Sequence, residues 1–168
     1  LIQTGKSPIV PIVLLDRPNG HYWETWRRFV VNDLLDQKLI SPSDLNLFKV
    51  THDIEAAIAE VLQFYRNFHS YRWVQDRMVI RINHPLTTKA IEKLNAEFKT
   101  LLVSDCIVQS GALPEEVDDT HLAHFHRLVL VPHRRDFGTM RLLIDAINRA
   151  ATATKKALPT EGSAPRGV

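Results

Sequence analysis

A single cysteine, Cys106, stands in the 168 residues. No internal disulfide framework can form, which points to a reducing, cytoplasmic setting. No apolar run approaches the ~20 residues needed to span a bilayer. The longest, at residues 9–15, has the length of a strand. No basic segment leads into an apolar stretch, so no secretory leader is visible. Charge of neither sign is in excess. The 21 Lys and Arg against 19 Asp and Glu leave a net +2, scattered along the chain. That balance argues against nucleic acid or an anionic membrane as partner. The six glycines form no phosphate loop, and no G-x-S-x-G or paired carboxylate with clear geometry is present. What remains has the composition of an ordinary globular protein, 45% hydrophobic and 24% charged.

The pattern is most informative over residues 1–26, LIQTGKSPIVPIVLLDRPNGHYWETW. Gly5 is placed to stop a helix, since glycine enters the left-handed C′ position at little cost. The apolar run after it suits a strand covered on both faces. Pro11 cannot donate to a ladder, so the regular strand begins near Ile12. Asp16-Arg17-Pro18-Asn19-Gly20 is turn chemistry. A helix over 21–35 then carries Trp23, Trp26, Val30 and Leu34 on one face. Ser41, Pro42 and Asp44 form a helix-start signal for a short turn. A brief strand is expected at 47–50. Thr51 caps a helix whose Ile54, Ala57, Ile58, Val61, Leu62 and Tyr65 fall at amphipathic spacing.

Strand, helix, strand, helix is the closing portion of a doubly wound α/β domain. Two strands alone would leave a sheet edge unpaired and a face uncovered, so strands before Leu1 are expected. Ligands bind open α/β sheets at the carboxyl ends of the strands. Asp16, Asn19, Gly20 and Tyr22 stand there and are the candidate substrate-binding residues. The competing reading is a plain strand-to-helix turn, with Asp16 or Asn19 capping the helix.

IQTGKSPIVPIVLLD followed by GHYWETW resembles the Rossmann-fold proteins of the Lonely Guy (LOG) family, often labelled "possible lysine decarboxylase". The resemblance covers residues 1–67, with the remainder similar to a longer bacterial subgroup. It implies a phosphoribohydrolase that splits a nucleoside 5′-monophosphate into free base and ribose 5-phosphate, as a homodimer or higher homo-oligomer, without metal or organic cofactor. The family signature PGGxGTxxE and its catalytic arginine are expected upstream of Leu1, so no catalytic residue is assigned here, and the fragment alone is expected to be inactive. The resemblance makes residues 16–22 a ribose- or base-contacting loop, with Tyr22 stacking or hydrogen-bonding. His21 stands where the family has a tyrosine. The rival function is a non-catalytic nucleotide sensor whose C-terminal domain is regulatory. A decarboxylase is not supported, because no lysine stands in a cofactor-binding context.

Residues 68–76 read as an aromatic connector, with Tyr71-Arg72-Trp73 either an interdomain plug or a stacking site. A small α+β domain of βαβα order follows over 77–150. RMVIRINHP, from Arg77, resembles RLVLVPHRR, from Arg127, which suggests two similar halves. Residues 105–116 read as irregular with a short strand at Ile107-Val108. Glu115 to Asp119 reads as an exposed acidic loop. His121, His124 and His126 lack the spacing of a strong metal motif and read as loop histidines. Arg134, Arg135 and Asp136, before Gly138, are either a small anion site or a charged turn. Residues 151–168 read as a disordered tail.

Overall fold

The computed structural model describes residues 1–153. The expected tail beyond Ala153 lies outside the described residues. The chain is mixed α/β, with a two-stranded parallel sheet and a four-stranded antiparallel one. No helix among the described residues is long and apolar enough to cross a membrane.

The first unit is β1 (Ile12–Leu15), α1 (Tyr22–Phe29), β2 (Phe48–Thr51) and α2 (Ile54–Phe64). β1 and β2 pair in parallel from Ile12 opposite Phe48 to Leu15 opposite Thr51. The helix expected over 21–35 is α-helical only to Phe29 and continues as π-helical turns over Val30–Leu35. Upstream, Gly5 has φ 69°, and Gly5 N–H and Lys6 N–H donate to Ile2 O and Leu1 O at 2.9 Å each. Those are the two bonds of a Schellman motif, as its glycine foretells. Asp53, rather than Thr51, caps α2 by accepting from Glu55 N–H at 2.9 Å. Thr51 Oγ1 instead takes the Asp53 N–H.

The second unit has two ββα halves, not the expected βαβα order. They are β3 (Phe68–Val74), β4 (Arg77–Ile82) and α3 (Thr88–Glu97), then β5 (Leu102–Ser110), β6 (His126–Pro132) and α4 (Phe137–Arg149). The sheet order is β3-β4-β6-β5, antiparallel throughout. The aromatic connector is therefore an edge strand, β3, whose alternating Tyr71 and Trp73 pack against the core. The short strand expected at Ile107-Val108 lies within the longer β5, which takes in the residues before it. A two-residue turn joins β3 to β4, with Gln75 at φ 58°. Residues 111–125 join β5 to β6. The sequence echo is visible in the register: Val79 lies opposite Val129, and these are equivalent positions of the two similar stretches. A pseudo-two-fold axis thus passes between β4 and β6.

Alternation explains the core. Met78, Ile80 and Ile82 of β4 and Leu128 and Leu130 of β6 share one sheet face and are buried beneath α4's Met140, Leu143, Ile144 and Ile147. Each such side chain contributes roughly 1.5–3 kcal/mol on burial. Of this buried cluster, Ile9 alone comes from before α2's Phe64. Thr152 bridges back to Leu86, so residues 151–153 of the expected tail run beside the start of α3.

The units join along a polar seam at α4's start. Gly138 lies where an added Cβ would sit 2.0 Å from Ser43 O. Ser43 Oγ donates to Asp136 Oδ1 at 2.8 Å, and the same carboxyl caps α4 through Thr139 N–H. Arg141 of α4 binds Glu60 of α2 and Asp145. The Ile9 amide donates to the Tyr71 hydroxyl at 3.2 Å.

Candidate functional site

The carboxyl ends of β1 and β2 stop at one level, tied by Asp16 N–H to Thr51 O at 2.9 Å. Two loops leave from there. In the first, Gly20 N–H closes a turn onto Arg17 O at 2.8 Å, and Asn19 has φ 61°. Pro18 and Asn19 suit the two central positions of a type II turn, the second of which needs positive φ.

Asp16 is committed to backbone. Its Oδ1 accepts from Arg17 N–H at 3.0 Å and its Oδ2 from Trp23 N–H at 3.3 Å. Trp23 is the second residue of α1, so the carboxylate satisfies one of that helix's free amides and favours its positive end. Asp16 thus takes the capping role toward α1. Gly20 is buried, and a Cβ there would lie 2.2 Å from Asp16 Oδ1. Its glycine is required by the cap.

The second loop adds a residue that the sequence reading did not single out. His52 Nε2 lies 2.8 Å from Gly20 O. A carbonyl can only accept, so the imidazole donates from Nε2 and bridges the loops. Its signal in the sequence is its position, one residue past the end of β2.

Tyr22 differs from its neighbours in the turn. It is 70% exposed. Its ring stands edge-on to Trp23 at 4.9 Å and begins an aromatic series through Trp26 to Phe48. With His21, Thr25, Trp26 and Phe29 it lines a shallow hollow of about 470 Å³. Neither Trp23 nor Trp26 is buried. The four candidates therefore lie together, with Asp16 and Gly20 holding the loop, Asn19 shaping it and Tyr22 presented outward.

Elsewhere, other polar groups are occupied within the chain. Of the two readings of residues 134–136, the charged turn describes the start of α4: Asp136 caps the helix, and its pKa is lowered, since burial works to raise it and the Thr139 and Ser43 hydrogen bonds outweigh that. Arg134 turns away to lie 4.1 Å over the Trp73 ring. Gln3 Nε2 donates to Asp44 Oδ2 at 2.9 Å. Among the described residues no three His, Cys, Asp or Glu side chains converge on a metal position. His124 and His69 each pack against the Phe125 ring at a tilt, with ring centres 4.0 Å apart.

The acidic loop is exposed at Glu115, Val117 and Asp118, as expected, but not at Glu116. Glu116 is buried and accepts from Arg81 at 2.6 Å and from Arg127 at 2.9 Å. Asp119 accepts from Arg81 and Arg72. Arg81 and Arg127 are direct cross-strand partners. Arg72, Arg81 and Arg127 thus form a row on the sheet face away from the helices, clamped by residues 111–125. Three arginines within otherwise apolar strands, matched by a distant acidic loop, were the available signal. Burial works to raise the Glu116 pKa, but hydrogen bonds from Arg127, the Leu113 amide and Arg81 hold it below the ordinary carboxylate value.

Comparison of the chain with protein-family models, with curated proteins and with solved structures gives no match.

Proposed function

We propose that this chain supplies the rim of a nucleoside 5′-monophosphate site in a LOG-like phosphoribohydrolase. The observation that carries the reading is the parallel β1–α1–β2–α2 arrangement, whose two loops meet at one end with Tyr22 presented there. A ligand at this end would sit where open α/β sheets bind theirs, and the unit would be the closing part of a Rossmann-like sheet. The likeness of IQTGKSPIVPIVLLD and GHYWETW to the LOG proteins names the ligand class. In this reading Tyr22 stacks on the base or hydrogen-bonds the ribose, while Asp16, Asn19, Gly20 and His52 hold the loop that presents it. The phosphate-binding glycines, the glutamate and the arginine of the family signature would come from sequence outside these residues. The protein would work in the cytoplasm as a homodimer or higher homo-oligomer and would need no metal or organic cofactor.

The test uses the protein that carries both this chain and the signature. It is incubated with AMP and other nucleoside monophosphates, and free base and ribose 5-phosphate are measured. Release is expected, with kcat/KM falling about tenfold in Tyr22→Ala, the loss of one stacking contact of roughly 1–3 kcal/mol. The 168-residue chain alone is expected to release nothing. Nucleotide binding by calorimetry without release would favour the sensor instead. Neither release nor binding would end both readings.

A further inference from the structure

The second unit holds a cleft between α3 and the end of α4, away from the β1–β2 loops. Its volume is about 520 Å³, within the range of small-molecule sites. Leu94, Ala90 and Ala146 form an apolar floor. Lys89 and Lys93, one helical turn apart on α3, stand on one rim, and Arg149 stands on the other. The wall beside Arg149 is fixed. Thr87 N–H donates to Ala151 O at 3.0 Å and Ala153 N–H to Pro85 O at 2.7 Å. Behind that wall a second hollow, of about 550 Å³, shares Arg149 and adds Arg66 and His84.

Four cations without an ion pair among the described residues gather around these two hollows. Arg72, Arg77, Arg81, Arg127 and Arg141 are all in ion pairs. Among the described residues, Arg66, Lys89, Lys93 and Arg149 take part in none. Glu97 is the one acid lining either hollow. Unpaired cations around a concave, low-dielectric wall focus a positive potential where an anion would sit. Lysine offers a compact charge and arginine a two-pronged one, and both suit phosphate. The apolar floor adds a surface that inorganic phosphate could not use.

We propose that the α3–α4 cleft binds a small organic phosphate, with its apolar body on Ala90, Leu94 and Ala146 and its phosphate held by Lys89, Lys93 and Arg149. The site is separate from the proposed hydrolase pocket and stands or falls independently of it.

Titration of the full 168-residue chain with phenyl phosphate, followed by amide NMR, tests this. Saturable shifts are expected in α3 and at residues 149–151. Phenol is expected to produce none, and inorganic phosphate to bind more weakly than phenyl phosphate. The Lys93→Glu/Arg149→Glu double variant is expected to weaken binding about tenfold or more, as loss of charged hydrogen bonds does. Lys38→Glu, in the first unit, leaves it unchanged. Equal affinity for inorganic and phenyl phosphate overturns the apolar half of the proposal. Absence of saturable shifts at the cleft, or shifts that survive the double charge reversal, overturns it entirely.

Discussion

The two units of this chain solve the same problem differently. Each must cover both faces of a sheet. The antiparallel unit does so with its own residues: α3 and α4 cover one face, and residues 111–125 cover part of the other through Glu116 and Asp119. One tight hairpin joins β3 to β4, and the long β5–β6 connection is itself the cover. The parallel unit has two strands and two helices, and its apolar surface stays in solvent. Ile54 is 62% and Leu62 68% exposed on α2, and both line an apolar hollow with Val13 and Leu15 of β1. A parallel sheet is ordinarily buried on both faces. Closure therefore follows from strand number and connection, not from hydrophobic content.

Substitutions can break that contrast or sharpen it. The largest effect is expected from Glu116→Ala. It leaves Arg81 and Arg127 buried without their carboxylate, a change worth about 3–5 kcal/mol. Urea denaturation followed by a probe in β4 or β6 would register it, and the second unit would lose its advantage. The pH dependence has a defined sign. A carboxylate whose folded pKa lies below its ordinary value of 4.5 stabilises the fold above that value. The contribution disappears as pH falls through the lowered folded value. An acid titration of the wild type should show this loss, and Glu116→Gln should flatten it.

Gly138→Ala comes next. Its Cβ would overlap Ser43 O, and overpacking of this kind costs about 3 kcal/mol. The seam should open, so the Tyr71 environment, read by fluorescence of the adjoining aromatic residues, should change. Arg141→Met is expected to cost about 2 kcal/mol by stranding Asp145 and leaving Glu60 with Lys49 alone. Burial already raises the Asp145 pKa. In this variant it should rise further, measurable by carboxyl NMR. The smallest effect belongs to the open face. Leu62→Ser should change the stability of this chain by no more than about 0.5 kcal/mol, since its side chain is largely in solvent already.

How far the sequence foretold this follows the same division. In the first unit every strand and helix was legible, because period and caps are local. Pro11 set the start of β1, Gly5 its turn, and the i, i+3, i+4 pattern gave α2. The π-helical end of α1 carried no local mark. In the second unit β3 and β5 were obscured. Aromatics at alternating positions in Phe68–Val74 resemble a connector until their partner strand is known. Register shifts within β5 disturb its alternation. The site was half legible. Residues 16–22 follow a strand's carboxyl end as expected, and the Asp16 bonds to Arg17 and Trp23 are local, but that His52 reaches Gly20 depends on a contact across 32 residues of fold. Glu116 shows the same limit. Composition makes its loop acidic, and only the opposing arginine row buries Glu116 within it.

Amide hydrogen exchange on the full chain tests the contrast between the units most directly. The slowest exchange is expected in β4, β6 and α4, with β1, β2 and α2 exchanging by separate, lower-energy openings. Equal protection across both sheets, lost in one cooperative step, would contradict it.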